Sequence, residues 1–223
     1  MSHPPRPAAV AFDLDGLMLN TEELYQQVGG EMLRRRGREF TAELLDAMMG
    51  RPASVALQLM IDAHQLETSV DQLAAETDEI FASLLDEQLA LMPGLLPLLA
   101  ELERAGVPKA IATSSGPDFV REVLSRFDLA ARFQFILTCD DIDQGKPHPE
   151  IYLLAARRFG LEPAQLLVLE DSANGCRAAV AAGAIAVAVP SGTSRRHDFS
   201  GATLVADSLA DPRLYAMLDL PRG

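Results

Sequence analysis

The sequence predicts an α/β fold, a parallel-sheet core interrupted early by an inserted α-helical subdomain. Three observations predict it. Short apolar, β-rich segments recur along the chain as runs rather than strict alternations, the pattern of strands buried on both faces. Amphipathic helical stretches lie between them, and strand, helix, strand repeated in this way builds a parallel sheet. Residues 20–92 break the rhythm, with almost no strand signal and only helical patterns.

Taken in order, the first strand is expected in AVAFDLD, whose end carries Asp13, Asp15 and the turn-permitting Gly16. In the helical stretch Leu24, Val28 and Met32 recur every fourth residue, and Leu73, Ile80, Phe81, Leu84 and Leu85 form another apolar stripe. Both stripes read as core packing. MMGRPASVALQLM carries a turn at Gly50–Pro52 and then a helix, and Pro93 with Gly94 marks the return to the sheet. Later strands are expected in PKAIATSS, FQFILTCDD, LLVLEDS and AIAVAVP, with a further one in TLVADS. Helices are expected in GPDFVREVLSRF, EIYLLAARRFG and GCRAAVAAG. The expected architecture is a Rossmann-like core from 1–19 and 93–223, with the helical subdomain over 20–92.

Composition bounds the function. With 48% hydrophobic residues the chain can build a sizeable core, and without Trp and with 5% aromatics that core is aliphatic. A formal charge of −13 argues against nucleic acid or an anionic membrane as partner. A local cation can still reverse the field inside one cleft. Cys139 and Cys176 make no metal-ligand spacing or disulfide framework and read as small buried apolar residues of a reducing compartment. No signal-peptide core and no run of 18 apolar residues occurs, so a cytoplasmic protein is expected, and a monomer by default.

Four stretches carry chemistry. Asp13-Leu14-Asp15-Gly16 ends a strand with two carboxylates that alternation aims to the same side, where they could share a cation or supply a nucleophile and an acid–base partner. Alone, the pair reads equally well as an ordinary strand end. Thr113, Ser114 and Ser115 end another strand before a helix start, which makes either an anion site or a plain cap. Lys146 lies between Gly145 and Pro147, where the prolines restrict its direction; alone it also reads as a solvated surface lysine. The neighbouring His148 reads as exposed or structural. Glu170 and Asp171 end a fourth segment, oxygen donors of the kind hard cations prefer. Together the four fall at, or just after, the expected C-terminal ends of strands in a parallel sheet, where ligand sites of open α/β sheets lie.

In this order and spacing, DLDG, Thr113 in IATSS, Lys146 in GKPHPE, and LEDS resemble the four motifs of the haloacid dehalogenase superfamily of phosphotransferases. The resemblance covers essentially the whole chain, and the inserted helices look like that superfamily's small α-helical cap. It implies a phosphoric monoester hydrolase in which Asp13 attacks phosphorus to form an aspartyl-phosphate. Asp15 would serve as acid and then base, and Thr113, Ser114 and Lys146 would hold the phosphoryl oxygens. It further implies Mg²⁺ held by Asp13, the Asp15 backbone carbonyl and Asp171, with Glu170 direct or through water. Cap closure about Leu17–Thr21 and Leu91–Gly94 would exclude water from the first step.

Within the superfamily, Asp15 sets the chain apart from the dehalogenases, which lack a second aspartate. FDLDGLMLNTEELY is similar to sugar-phosphate phosphatases and β-phosphoglucomutases; the histidine expected near Tyr25 in the mutases is absent, which favours hydrolysis. FDLDGLMLNTE, LMPG, IATSSG, GKPHPEI and LEDSANG are closest in style to pseudouridine-5'-phosphatases, so the expected substrate is a sugar phosphate or nucleotide-like monoester such as pseudouridine 5'-phosphate. Arg51, Glu22 and Tyr25 are the candidates for substrate specificity. Asn20 stands where relatives often carry aspartate. A phosphosugar mutase is the alternative activity, and a catalytically silent binding protein the alternative class.

Overall fold

A computed structural model of the chain describes residues 6–48 and 53–221. Among these, contacts divide the chain at Leu19/Asn20 and Ala90/Leu91 into two compact units, one sequence-continuous and one built from both flanking segments.

The two-segment unit is built on a sheet. Its strands are β1 (Ala9–Phe12), β2 (Lys109–Ala112), β3 (Ile136–Leu137), β4 (Leu166–Glu170), β5 (Ile185–Ala188) and β6 (Leu204–Val205). They lie in the order β3-β2-β1-β4-β5-β6, every pair parallel. β1 is central, with Val10 in register with Lys109 on one side and Leu167 on the other. Its residues Ala9–Phe12 are fully buried, which explains the unbroken apolar run. Helices α5 (Leu95–Arg104), α6 (Pro117–Ser125), α7 (Glu150–Phe159), α8 (Ala173–Ala181) and α9 (Pro212–Met217) connect and follow the strands, the continuous unit supplying α1–α4 before them in the chain. Against the sheet, Ala155 and Ala156 of α7 and Ala178 and Ala179 of α8 join Ala9, Ala11 and Val168 in one buried cluster. Small side chains there let helix backbones lie close to the strands.

This strand order has a consequence for function. The chain leaves β1 for β2 and β3 on one side, then crosses back to place β4 on the other, so a crevice opens beyond the carboxyl ends of β1 and β4.

The continuous unit contains α1 (Thr21–Arg34), α2 (Ala42–Met48), α3 (Ala53–His64) and α4 (Val70–Gln88). Both apolar stripes face inward: Leu24, Val28 and Met32 of α1 are buried, as are Leu73, Ile80, Phe81 and Leu85 of α4. Ser69 and Gln72 form a capping box at the start of α4. Arg36 joins the end of α1 to α4 through Glu76, with Nη2 2.6 Å from Oε2. Asn20 holds the unit's two ends together. Its Oδ1 accepts from the Ala90 N–H at 2.8 Å while its Nδ2 donates to the Gln88 carbonyl at 3.1 Å.

The expectation for the cysteines holds for one of them. Cys176 is buried, but Cys139 is exposed, because β3 ends at Leu137 and Cys139 opens a 3₁₀ turn beyond it. Among the described residues no helix is long and apolar enough to cross a membrane.

Candidate active site

The site grows from the ends of four strands. Asp13 follows β1 directly, and its N–H donates to the Leu169 carbonyl of β4 at 3.0 Å, which extends the ladder to the crevice. Gly16 then takes a left-handed backbone (φ 75°), and its N–H donates to the Leu19 carbonyl at 2.8 Å, closing a tight turn. Ser191, just past β5, braces that turn from the far side, its hydroxyl donating to the Gly16 carbonyl at 3.2 Å.

Lys146 is no surface lysine. Only 6% of its side chain is exposed. Its ammonium donates to Asp13 Oδ1, to Glu170 Oε1 at 2.5 Å and to the Ala112 carbonyl at the end of β2 at 3.0 Å. Pro147 follows through a cis peptide bond.

The hydroxyls after β2 turn toward Asp15. Its Oδ2 accepts from the Ser115 hydroxyl at 2.6 Å and the Thr113 hydroxyl at 3.2 Å. The Ser115 N–H in turn donates to Thr113 Oγ1 at 3.0 Å, which orients the pair. Ser114 is exposed on the rim.

Glu170 and Asp171 complete the centre from the end of β4, both buried. Asp13, Glu170 and Asp171 each offer a carboxylate oxygen, all within 4.8 Å of one another. Burial pushes the Asp13 carboxyl up to about 8, with Glu170 and Asp15 adding to the rise and Lys146 opposing it. Burial would lower Lys146, but Asp13 and Glu170 outweigh it and hold the ammonium well above its ordinary value. The Cys176 thiol nearby is pushed up by burial and by Glu170 and Asp171, which makes it an inert neighbour rather than a nucleophile.

One ammonium thus faces the carboxyl groups of Asp13 and Glu170 directly, with Asp171 beside them. That imbalance is what a hard divalent cation relieves, and clustered carboxylate oxygens are its preferred donors. The donor set fits Mg²⁺.

The structure therefore brings together Asp13, Asp15, Thr113, Lys146, Glu170 and Asp171. Tyr25 and Glu22 lie on α1 in the helical unit, Glu22 half-buried and Tyr25 exposed and stacked on Phe81 with ring centroids 4.1 Å apart. Arg51 and the turn at Gly50–Pro52 lie outside the described residues. Sequence reasoning grouped Ser115 with Thr113 and Ser114 as an anion site or cap but gave the phosphoryl-binding role to Ser114 and not Ser115, and two serines at a strand end offer no signal to separate them. It also passed over Tyr152, whose phenol donates to Glu170 Oε1 at 2.5 Å. The one signal was a polar tip within an otherwise aliphatic helix stripe.

A parallel α/β sheet that gathers buried carboxylates, a lysine and hydroxyls at its switch point has the layout of an open α/β enzyme centre. The profile of the haloacid dehalogenase-like hydrolases matches residues 10–189, and the chain belongs to that family. It is an enzyme of the hydrolase class. It is 36% identical over 213 residues to a probable pseudouridine-5'-phosphatase of Drosophila melanogaster, covering 90% of this chain and 89% of that one. Among solved structures, CbbY from Rhodobacter sphaeroides in complex with phosphate superposes with a TM-score of 0.77 at 30% identity, covering 96% of this chain and 100% of that one. A mutant of the same protein in complex with xylulose 1,5-bisphosphate gives a TM-score of 0.75 at 29% identity, over 91% of this chain and 95% of that one. The bifunctional riboflavin kinase/FMN phosphatase of Arabidopsis thaliana is 31% identical over 93% of this chain, which spans 55% of that protein's length.

Proposed function

We propose that the chain is a Mg²⁺-dependent phosphatase that hydrolyses a small phosphate monoester through an aspartyl-phosphate. The observation that carries this reading is the buried contact of Lys146 with Asp13, flanked by Glu170 and Asp171. Phosphoryl transfer needs in-line positioning and neutralisation of charge above all, and these groups supply both.

In the first step an Asp13 oxygen attacks phosphorus and the bond to the leaving alkoxide breaks, while the Asp15 carboxyl gives that alkoxide its proton. In the second, Asp15 takes a proton from water, the water oxygen attacks the same phosphorus, and Asp13 is released with free phosphate. Ser115 holds the Asp15 carboxyl in place for both transfers, while the longer Thr113 bond to Asp15, at 3.2 Å, gives way to a phosphoryl oxygen. Lys146, Thr113 and Ser114 bind the phosphoryl oxygens. Asp13, Asp171 and the Asp15 backbone carbonyl would hold Mg²⁺, with Glu170 direct or through water. When bound, the ion supplies positive charge that counters the burial raising Asp13 and the charge on the phosphoryl group.

The substrate reading is a nucleotide-like or sugar monophosphate, supported by likeness to the Drosophila phosphatase. A phosphosugar carrying two phosphates is the second reading, favoured by the xylulose 1,5-bisphosphate bound to CbbY. Glu22, Tyr25 and Arg51 are the proposed specificity residues. Hydrolysis is preferred to mutase chemistry because the segment from Thr21 to Tyr25 holds no histidine.

Phosphate release with and without Mg²⁺ tests the reading across pseudouridine 5'-phosphate, hexose 1- and 6-phosphates, xylulose 1,5-bisphosphate, phosphoglycolate and nucleoside monophosphates. Release that needs both Mg²⁺ and Asp13, judged against D13N, is the expected result. An isomerised phosphosugar without free phosphate would establish the mutase instead. Equal release by D13N would overturn the mechanism.

A further inference from the structure

The Glu170 carboxylate is engaged on both oxygens. Oε1 accepts from Lys146 at 2.5 Å and from the Tyr152 hydroxyl at 2.5 Å. Oε2 accepts from the Ser172 hydroxyl at 3.0 Å and the Ser172 N–H at 3.3 Å. Gly175 leaves room for it, since a Cβ there would lie 1.8 Å from Oε1. A carboxylate held this firmly is an orienting group.

Tyr152 is the least expected member. It lies on α7, fully buried, in the cluster with Ala9, Ala11, Ala155 and Val168. Packing alone would be met by phenylalanine. The hydroxyl carries a burial penalty that its bond to Glu170 offsets. The same ring lies under the lysine, with Lys146 Nζ 5.1 Å from its centroid. One side chain therefore touches both Glu170 and Lys146, whereas Asp15 accepts from the hydroxyls of Thr113 and Ser115.

We propose that Tyr152 is a positioning residue: its hydroxyl fixes the Glu170 carboxylate, and Glu170 so fixed aims the Lys146 ammonium at Asp13 and the phosphoryl group. The proposal rests on the phosphatase reading and adds to it a route by which the lysine is held. Tyr152 bonds Oε1, the oxygen that also accepts from Lys146, while Ser172 still holds Oε2, so loss of the hydroxyl acts on the lysine and phosphoryl transfer more than on metal affinity.

The test is a double-mutant cycle of wild type, Y152F, E170Q and Y152F/E170Q, with p-nitrophenyl phosphate as substrate and Mg²⁺ affinity measured by calorimetry. The Y152F kcat should fall about tenfold or more, the scale of a lost hydrogen bond to a charged group, with KM and Mg²⁺ affinity within about threefold of wild type. On the E170Q background the same change should cost less than about twofold, because Tyr152 acts only through Glu170. A Y152F kcat within about twofold of wild type, effects that multiply in the double variant, or Mg²⁺ affinity falling in step with kcat would each overturn the proposal. If Y152F melts below the assay temperature, the whole cycle is run at a lower temperature at which all four proteins stay folded, and the same masking is required there. The cycle is also read on the Mg²⁺-supported affinity for inorganic phosphate. A wild type without turnover would then count against the phosphatase reading alone, while the phosphate affinities still decide the role of Tyr152.

Discussion

Asp13 and Asp15 follow one strand two residues apart, yet the protein gives them different surroundings. Asp13 is bound by a lysine and lies beside two further acids, whereas Asp15 is bound by two hydroxyls. This division is what a nucleophile and an acid–base group require. D15N should lower turnover by at least about 10²-fold while Mg²⁺ still binds, since the proposed metal contact of Asp15 is its backbone; steady-state kinetics and calorimetry check both halves. Gly175 is a second sensitive position. With a Cβ 1.8 Å from Glu170 Oε1, G175A must displace the carboxylate or the helix. A loss of about 1–3 kcal/mol in unfolding free energy is expected, together with reduced kcat, measurable by urea titration and assay. At this scale the acids were legible because charged residues at the ends of apolar strands are anomalous, and Lys146 because Gly145 and the prolines around it restrict its direction. Tyr152 and Ser115 were not, because a tyrosine in a helix stripe and one of two adjacent serines look ordinary until their partners are placed.

Elements depend on polar groups at their ends. Asn20 at the start of α1 accepts from the Ala90 N–H and donates to the Gln88 carbonyl of the same segment, and an aspartate carboxylate cannot do both. N20D would set a carboxylate against the Gln88 carbonyl, and a loss of about 1 kcal/mol in stability is expected from chemical denaturation. Asp211 at the start of α9 accepts from the Arg213 N–H at 2.8 Å and the Asp207 N–H at 2.9 Å, and pairs with the Arg213 guanidinium at 2.5 Å. The guanidinium hydrogen bonds hold this carboxyl well below the ordinary aspartate value of 3.8. A depressed folded-state value stabilises the protein above pH 3.8, and that contribution is lost as pH falls through the still lower folded value. D211N should therefore be less stable by about 1 kcal/mol at neutral pH and should show a shallower acid-side decline in unfolding free energy than wild type.

Across the whole molecule, three of the acids, Asp13, Glu170 and Asp171, come together at one buried point whose donors suit a cation. An ion that binds the folded centre and not the unfolded chain raises stability by about 2.7 kcal/mol at 100 times its dissociation constant. Mg²⁺ should accordingly raise the thermal unfolding midpoint of the sheet-bearing unit, by about 2–4 °C per kcal/mol, and D171N should abolish the rise. A D171N protein that responds to Mg²⁺ as wild type does would remove Asp171 from the ligand set.

By itself the sequence determined the succession of strands, the helices α6, α7 and α8 between them, the helical stretch after the first strand and the four segments that carry acids, lysine and hydroxyls. Those are local properties: an apolar run, a helical stripe or a charge at a strand end is written in consecutive residues. Only the tertiary structure decided that β4 returns to the far side of β1, setting Glu170 and Asp171 beside Asp13 across 156 intervening residues or more of chain. It alone decided that Lys146 is buried, that Ser115 and Thr113 turn to Asp15, and that a phenol on α7 bonds Glu170. The reason is that a hydrogen bond between residues far apart in sequence depends on crossings and helix packing, which no short window of sequence contains.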